Sequence, residues 1–336
     1  MQVRSFGVAD GVEIKEITLR NAAGATASVI TWGAVLRDLV VPSSGGLQRV
    51  VLGLNSIDDY RTYSPYFGAT PGRFANRIAG GRFQIDGQDY TLPTNEKGRT
   101  TLHGGPKGFG TLPWRLDHAE DSSVTLVLDS PDGDSGFPGS VRATCVYTLL
   151  EPGTLAVELT ATTDAPTLLN LAHHSYFNLD GNEDIRDHEV LLNCPFYTPV
   201  DEDLIPTGEI RSVTGTPYDF SVLRPIRNAE GVNYDHNFVV GPMPDPRTGL
   251  AHAATVRSHK NGLTLEVYTD QPALQFYDAA KLNCPVPGLG GAHYAPHGGF
   301  ALECQLYPDA PHRRHFPSAV IRPGETYRQR SEYRFA

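Results

Sequence analysis

The segment Val141-Arg142-Ala143-Thr144-Cys145-Val146-Tyr147-Thr148-Leu149-Leu150, continued by Glu151-Pro152-Gly153-Thr154 and Leu155-Ala156-Val157-Glu158-Leu159, decides the fold class. Val141, Ala143, Cys145, Tyr147 and Leu149 alternate with more polar neighbours, and Leu155, Val157 and Leu159 resume the alternation after the Pro-Gly turn. A period of two puts one set of side chains on one face of an extended chain, so the segment reads as two half-buried strands joined by a turn. Val124, Leu126 and Leu128 show the same period just upstream. Earlier still, Phe83 and Ile85 precede Asp86-Gly87, and Tyr90 and Leu92 follow it. Asp-Gly supplies the positive φ values of a tight type I′ hairpin. The 34 Gly and 26 Pro residues recur every few positions, which suits short strands and starves long helices. One short helix is expected at Ser56-Ile57-Asp58-Asp59-Tyr60, with Ser56 as its N-cap. These features predict an all-β chain with very little helix: a large antiparallel sandwich whose two sheets pack face to face and leave one concave side for a ligand.

Composition narrows the partner. A formal charge of -10, from 38 acidic and 28 basic residues, argues against nucleic acid and anionic membrane and favours a small polar ligand. Met1–Arg20 lacks the apolar run of a signal peptide and no later segment reads as a membrane span, so a cytoplasmic protein is expected. Cys145, Cys194, Cys284 and Cys304 lie far apart with no Cys-x-x-Cys pair, which predicts buried free thiols. No internal repeat or linker-like change of composition divides the chain. Residues 1–336 are read as a single domain, with Val41–Leu47, Asp129–Gly139 and Gly241–Gly249 as surface loops.

Polar chemistry concentrates in Asn170–Leu179 (NLAHHSYFNL). Read as a strand, it places Asn170, Ala172, His174 and Tyr176 on one face and Leu171, His173, Ser175 and Phe177 on the other, so only one of the paired histidines faces a given pocket. Gly72–Ile78 (GRFANRI) offers Arg73, Asn76 and Arg77, whose donors suit sugar hydroxyls or carboxylates; alone, the arginines read as surface groups beside a strand. His103 precedes paired glycines in Leu102–Gly105. Three later segments each put polar groups on one face and apolar groups on the other: Asp235 and Asn237, Gln275 and Tyr277, then Glu303 and Gln305. A sheet with one packed face and one ligand-binding face predicts that recurrence. Gly133-Asp134-Ser135-Gly136 resembles the nucleophile loop of chymotrypsin-like proteases, but His103 and His118 lack the context such a base requires, and the segment is read as a turn loop. His312-x-x-His315 is read as a surface turn. No His-Glu-x-x-His, phosphate loop or dinucleotide fingerprint occurs, so neither metal nor cofactor is needed to explain the polar residues.

Six motifs in order, GRFANRI, LHGG (102–105), HSYFNL (174–179), YDHNF (234–238), LQFY (274–277) and FALE (300–303), make the chain resemble the aldose 1-epimerase family, in particular its galactose mutarotase branch. The resemblance implies a β-supersandwich, no cofactor and an aldohexose as the partner, with the protein a monomer or weak homodimer. It implies Glu303 as general base and His174 as general acid. Asn76, Arg77, His103, Asp235 and Gln275 would hold the sugar, with Tyr176 as a nearby donor. The family usually has Thr-Asn before the catalytic histidine; here Ala172-His173 stands there, with His173 expected to point away from the pocket and Ala172 to remove a hydroxyl from the site-facing side. Three alternatives stay open: a silent sugar-binding protein, a glycosidase using Asp235 and Glu303, and a sugar-phosphate epimerase served by Arg73 or Arg82.

Overall fold

A computed structural model describes residues 1–181, 183–241 and 243–336. Its strands pair antiparallel in three principal sheets. A five-stranded sheet runs in sequence order from Gln2–Ala9 to Gly46–Arg49. A nine-stranded sheet is centred on Val141–Leu150, Thr154–Thr163 and Tyr327–Phe335. A six-stranded sheet places Tyr176–Phe177, Phe300–Gln305, Ala273–Tyr277 and Asp235–Val239 side by side.

The local expectations are met where the period is clear. Val141, Ala143, Cys145, Tyr147 and Leu149 are all buried, and Leu150 pairs with Thr154 across the Glu151–Gly153 connection. In the second hairpin Ile85 pairs with Gln88, and Asp86 and Gly87 take φ of 52° and 83°, as a type I′ turn demands. Among the described residues the only α-helix is Ile57–Tyr63, where the Ser56 hydroxyl accepts the Asp59 N–H at 3.1 Å. No helix of these residues is long and apolar enough to cross a membrane. All four cysteines are buried free thiols. Of the loop Gly241–Gly249, Pro242 lies outside the described residues.

One apolar cluster joins the three sheets. Phe238, Leu274, Phe276, Leu302 and Cys304 of the six-stranded sheet meet Tyr147, Leu159, Val256 and Tyr333 of the nine-stranded sheet, with Leu19, Ala27 and Leu39 of the third. Each large side chain so buried contributes roughly 1.5–3 kcal/mol. Polar ties fix the register between layers: the Tyr333 hydroxyl donates to Leu302 O at 3.1 Å, and Gln329 Nε2 donates to Cys304 O at 2.6 Å. With one face of the six-stranded sheet committed to this core, strand alternation turns Asp235, Gln275 and Glu303 to the other.

Candidate active site

That other face is ordered in rows. Asn237 pairs with Gln275 and Gln275 with Glu303, while Asp235 pairs with Tyr277, Tyr277 with Ala301 and Ala301 with Tyr176. Above it lies a cavity of about 180 Å³ lined by seven of the eight residues singled out from the sequence: Asn76, Arg77, His103, His174, Tyr176, Asp235 and Glu303. The eighth, Gln275, sits in the floor and donates Nε2–H to Asp235 Oδ1 at 2.7 Å. Tyr66, Glu96, Tyr277 and Lys281, with Pro65 and Leu102, complete the wall. Tyr277 shares its strand face with Gln275, as the alternation indicates. Tyr66, Glu96 and Lys281 lie outside the regular strands, where no periodic signal marks them.

The paired histidines part as strand alternation predicts, although the backbone there is not a regular strand. Only Tyr176–Phe177 belongs to the sheet, while His174 and Asn170 are held by isolated bridges to Ala69 and Phe74. His174 turns toward the cavity and brings Nε2 to 3.5 Å from Glu303 Oε1. His173 turns into the core, where Nδ1 lies 3.2 Å from the Tyr147 hydroxyl. That hydroxyl donates to Ala34 O at 2.8 Å, so the His173 Nδ1–H is the donor between the two rings. Two expectations for this stretch are corrected. Asn170 does not face the site: its Oδ1 accepts the Leu306 N–H at 2.9 Å and its Nδ2 donates to Ala75 O at 3.3 Å, which clamps two segments together. Ala172 is fully buried and lines no part of the cavity, so a hydroxyl at that position would not reach a ligand.

The two arginines of GRFANRI also separate, and neither is the surface group that its local context suggests. Arg77 is buried beneath the cavity, fastened to Glu96 by bonds of 2.6 and 2.8 Å and lying 3.9 Å from Asp235. Arg73 is buried elsewhere, donating to the carbonyls of Ser130, Pro131, Pro138 and Gly139, so the Gly-Asp-Ser-Gly segment is a loop organised around a structural guanidinium. Arg73 is thereby removed as a phosphate ligand. His312 pairs with Asp309 at 2.6 Å, whereas His315 meets Gly208 O at 2.7 Å, so the two do not converge. Tyr176 spends its hydroxyl proton on Pro65 O at 3.0 Å; it braces the wall of the cavity and is not free to donate to a ligand.

Electrostatics follow from burial. Glu303 is pushed well above the ordinary carboxylate range, first by burial and then by Asp235, with Arg77 opposing. Burial pulls His174 down to about 4. A carboxylate of raised pKa is a stronger base and an imidazolium of lowered pKa a stronger acid, and burial favours the neutral form of each. His103 is also held well below its ordinary value, by burial and then by His174 and Arg77. Its Nδ1 accepts the Asn76 N–H at 3.1 Å, so the neutral ring carries its proton on Nε2. The ligand atoms of His103, His174 and Glu303 lie within 4.8 Å of one another, a spacing compatible with a metal. The His103 tautomer instead offers that group a donor, which suits a hydroxyl oxygen and not a cation. Asn76 Oδ1 accepts the Arg77 N–H at 2.9 Å, which turns the amide's NH₂ end away from that bond.

Comparison with known proteins identifies the family. Residues 15–334 match the model of the aldose 1-epimerase family. The chain is 38% identical over 340 residues to the aldose 1-epimerase of Escherichia coli K12, covering 97% of this chain and 96% of that protein. It is 40% identical over 317 residues to the galactose mutarotase of Bos taurus, covering 92% and 90%. An aldose epimerase homologue from C. elegans superposes with a TM-score of 0.90 at 33% identity, over 96% of this chain and 98% of that one. Galactose 1-epimerase of Lactobacillus acidophilus does so with 0.85 at 27%, over 100% and 98%. The chain, with its two-faced sheet and its buried carboxyl–imidazole pair, belongs to the aldose 1-epimerase family.

Proposed function

We propose that the protein interconverts the α and β anomers of an aldohexose, with residues 1–336 acting as one unit. The observation that carries the reading is the approach of His174 Nε2 to Glu303 Oε1, 3.5 Å apart and both buried, at the base of a cavity of about 180 Å³. Drug-sized ligands occupy sites of roughly 300 Å³ or more, and a single sugar ring suits a smaller one. Ionised Glu303 takes the proton of the C1 hydroxyl while protonated His174 gives one to the ring oxygen. The C1–O5 bond breaks and the free aldehyde forms. Rotation about C1–C2 presents the other carbonyl face, and the reverse transfers close the ring to the other anomer. In the open-chain state Glu303 is neutral and His174 is neutral, the forms that burial favours. Arg77, Asp235, Asn76 and the Nε2–H of His103 hold the remaining hydroxyls, and Gln275 orients Asp235.

Polarimetry on freshly dissolved α-D-glucose and α-D-galactose tests this. Catalysed approach to anomeric equilibrium is expected with at least one of them. A spontaneous rate unchanged by the protein on both sugars leaves only a sugar-binding role and defeats the proposal.

A further inference from the structure

We propose that Glu96, which is outside the residues that the family resemblance assigns, determines specificity by occupying the guanidinium of Arg77 and so closes the site to aldoses that carry a carboxylate. This inference rests on the epimerase reading above. Glu96 takes Arg77 Nε on Oε2 and Nη2 on Oε1, at 2.6 and 2.8 Å, the two-point geometry in which arginine grips a carboxylate. At the opposite edge Nη1 lies 3.9 Å from Asp235. A sugar hydroxyl needs only one N–H, which Nη1 can supply, whereas an incoming carboxylate finds the paired donors taken and a second carboxylate beside those that are left. Charge points the same way. With the Glu303–His174 pair holding one proton, Arg77 and Lys281 balance Glu96 and Asp235 across the lining. Loss of the Glu96 charge leaves one positive charge in excess, in a partly buried space where screening is weak.

The chain holds Glu96 in place before any ligand arrives. Thr100–Leu102 pairs with Arg77–Ala79, and a tight turn precedes it, with φ of 50° at Lys97 and 67° at Gly98. Across that turn the N–H and O of Glu96 bond the O and N–H of Thr100, each at 3.2 Å. The Thr100 hydroxyl donates to Glu96 Oε2 at 3.1 Å. Asn95 clasps the next residues: its Nδ2 donates to Leu102 O at 3.0 Å and its Oδ1 accepts the Leu102 N–H at 2.7 Å. The segment ends at His103, so one hairpin delivers both a group that holds the sugar and the carboxylate that covers Arg77. The neighbouring cations are engaged elsewhere. Lys97 and Arg99 reach Asp203 at 3.5 and 3.0 Å, and neither lines the cavity. Burial disfavours the ionised form of Glu96, but the bonds and charge of Arg77, with Thr100 and Lys281, outweigh it and hold the carboxyl below its ordinary value.

The test compares wild type, Glu96→Gln, Glu96→Ala and Glu96→Asp on two pairs of sugars, galactose with galacturonate and glucose with glucuronate. In each pair a carboxylate replaces the neutral hydroxymethyl group at C5. Polarimetry on freshly dissolved single anomers gives kcat/KM, and the pair whose neutral member wild type turns over is the one compared. Glutamine keeps the shape of the side chain and alanine removes it, and a thermal melt identifies the folded variant to be used. Wild type is expected to favour the neutral sugar by about tenfold or more. The uncharged variants should shift that ratio toward the uronate by about tenfold, chiefly through KM for the uronate, and Glu96→Asp, which keeps the charge, should hold the wild-type preference. A change that merely loosened the site would lower both rates and leave the ratio alone. That outcome, or a wild type indifferent to the carboxylate, overturns the role of Glu96. Wild type inert on both neutral sugars would instead overturn the epimerase reading, so the two failures are distinguishable.

Discussion

Arg77 and Glu96 form a two-point ion pair, Nε to Oε2 at 2.6 Å and Nη2 to Oε1 at 2.8 Å, so the guanidinium beneath the cavity is already matched by a carboxylate before any ligand arrives. Asp235 lies 3.9 Å from the same guanidinium, and Lys281 is the other cationic side chain of the lining, against Glu96, Asp235 and Glu303. With the Glu303–His174 pair holding one proton, two cations face two carboxylates and the lining carries no net charge, so a phosphate entering this space gains no net positive charge to offset its desolvation. Glucose 6-phosphate should therefore be a much poorer substrate than glucose, by at least about tenfold in kcat/KM, when the two are compared by polarimetry. Preference for the phosphate would contradict this charge assignment. Lysine at position 77 keeps the charge but loses the fork, and a rise in KM of about tenfold is expected for Arg77→Lys.

Glu303→Gln and His174→Asn test the proton transfers directly. Each removes a group proposed to carry a proton and should lower kcat by on the order of 10²–10⁴. The folded state should not suffer. Both residues are buried, and Glu303 Oε2 and His174 Nδ1 have no hydrogen-bond partner. Neutral amides in their place remove ionisable groups from buried positions, so thermal midpoints should match or exceed wild type. Wild-type turnover in either folded variant would remove that residue from the reaction.

The pH dependence follows from the same burial. The Glu303–His174 pair works while it holds one proton, so activity should fall at low pH as it gains a second and at high pH as it loses the first. Burial lowers His174 to about 4, which places the acid limb of kcat/KM near pH 4, well below the ordinary imidazole value of 6.5. The alkaline limb should lie above the ordinary carboxylate range, because Glu303 is raised. An acid limb at 6.5 would show that His174 titrates as an exposed ring. Stability carries a separate signature. His173, lowered to about 3, and His236, lowered to about 4, are held neutral by burial in the folded state. Their contribution is complete above 6.5 and is lost as pH falls from there toward the folded values, so denaturant midpoints should decline over that window.

Legibility in the sequence tracked backbone regularity. Val141–Leu159 announces its strands because half of each strand must be buried, and the same period put Asp235, Gln275 and Glu303 on one face before any contact was known. Asp86-Gly87 is readable because few pairs tolerate two positive φ values. Asn170 was assigned to the wrong face because its segment, held by isolated bridges, lacks the continuous pleat that alternation requires. Glu96 and Tyr66 carry no local mark at all. Glu96 matters because the fold sets it against Arg77, and Tyr66 because a braced loop aims its ring at His103. Arg73 and Arg77 stand four positions apart in one motif, and only the distant loop 130–139 shows that one is structural.

Arg73 supplies the last prediction. Its guanidinium satisfies four backbone carbonyls and the Ser130 hydroxyl, and burial draws its pKa down to about 10, so it stays charged at neutral pH. Arg73→Met keeps much of the volume but leaves those acceptors without donors in a closed interior. The expected loss is about 3–5 kcal/mol in denaturant unfolding. Arg73→Lys offers three donors on a flexible stem where five stood in a plane, and should recover only part of that loss. Ser135, which gives the loop its protease-like look, reaches only Lys107 O at 3.4 Å. Ser135→Ala should therefore change neither stability nor turnover. An unfolding midpoint for Arg73→Met equal to that of Ser135→Ala would show that the loop stands without its guanidinium.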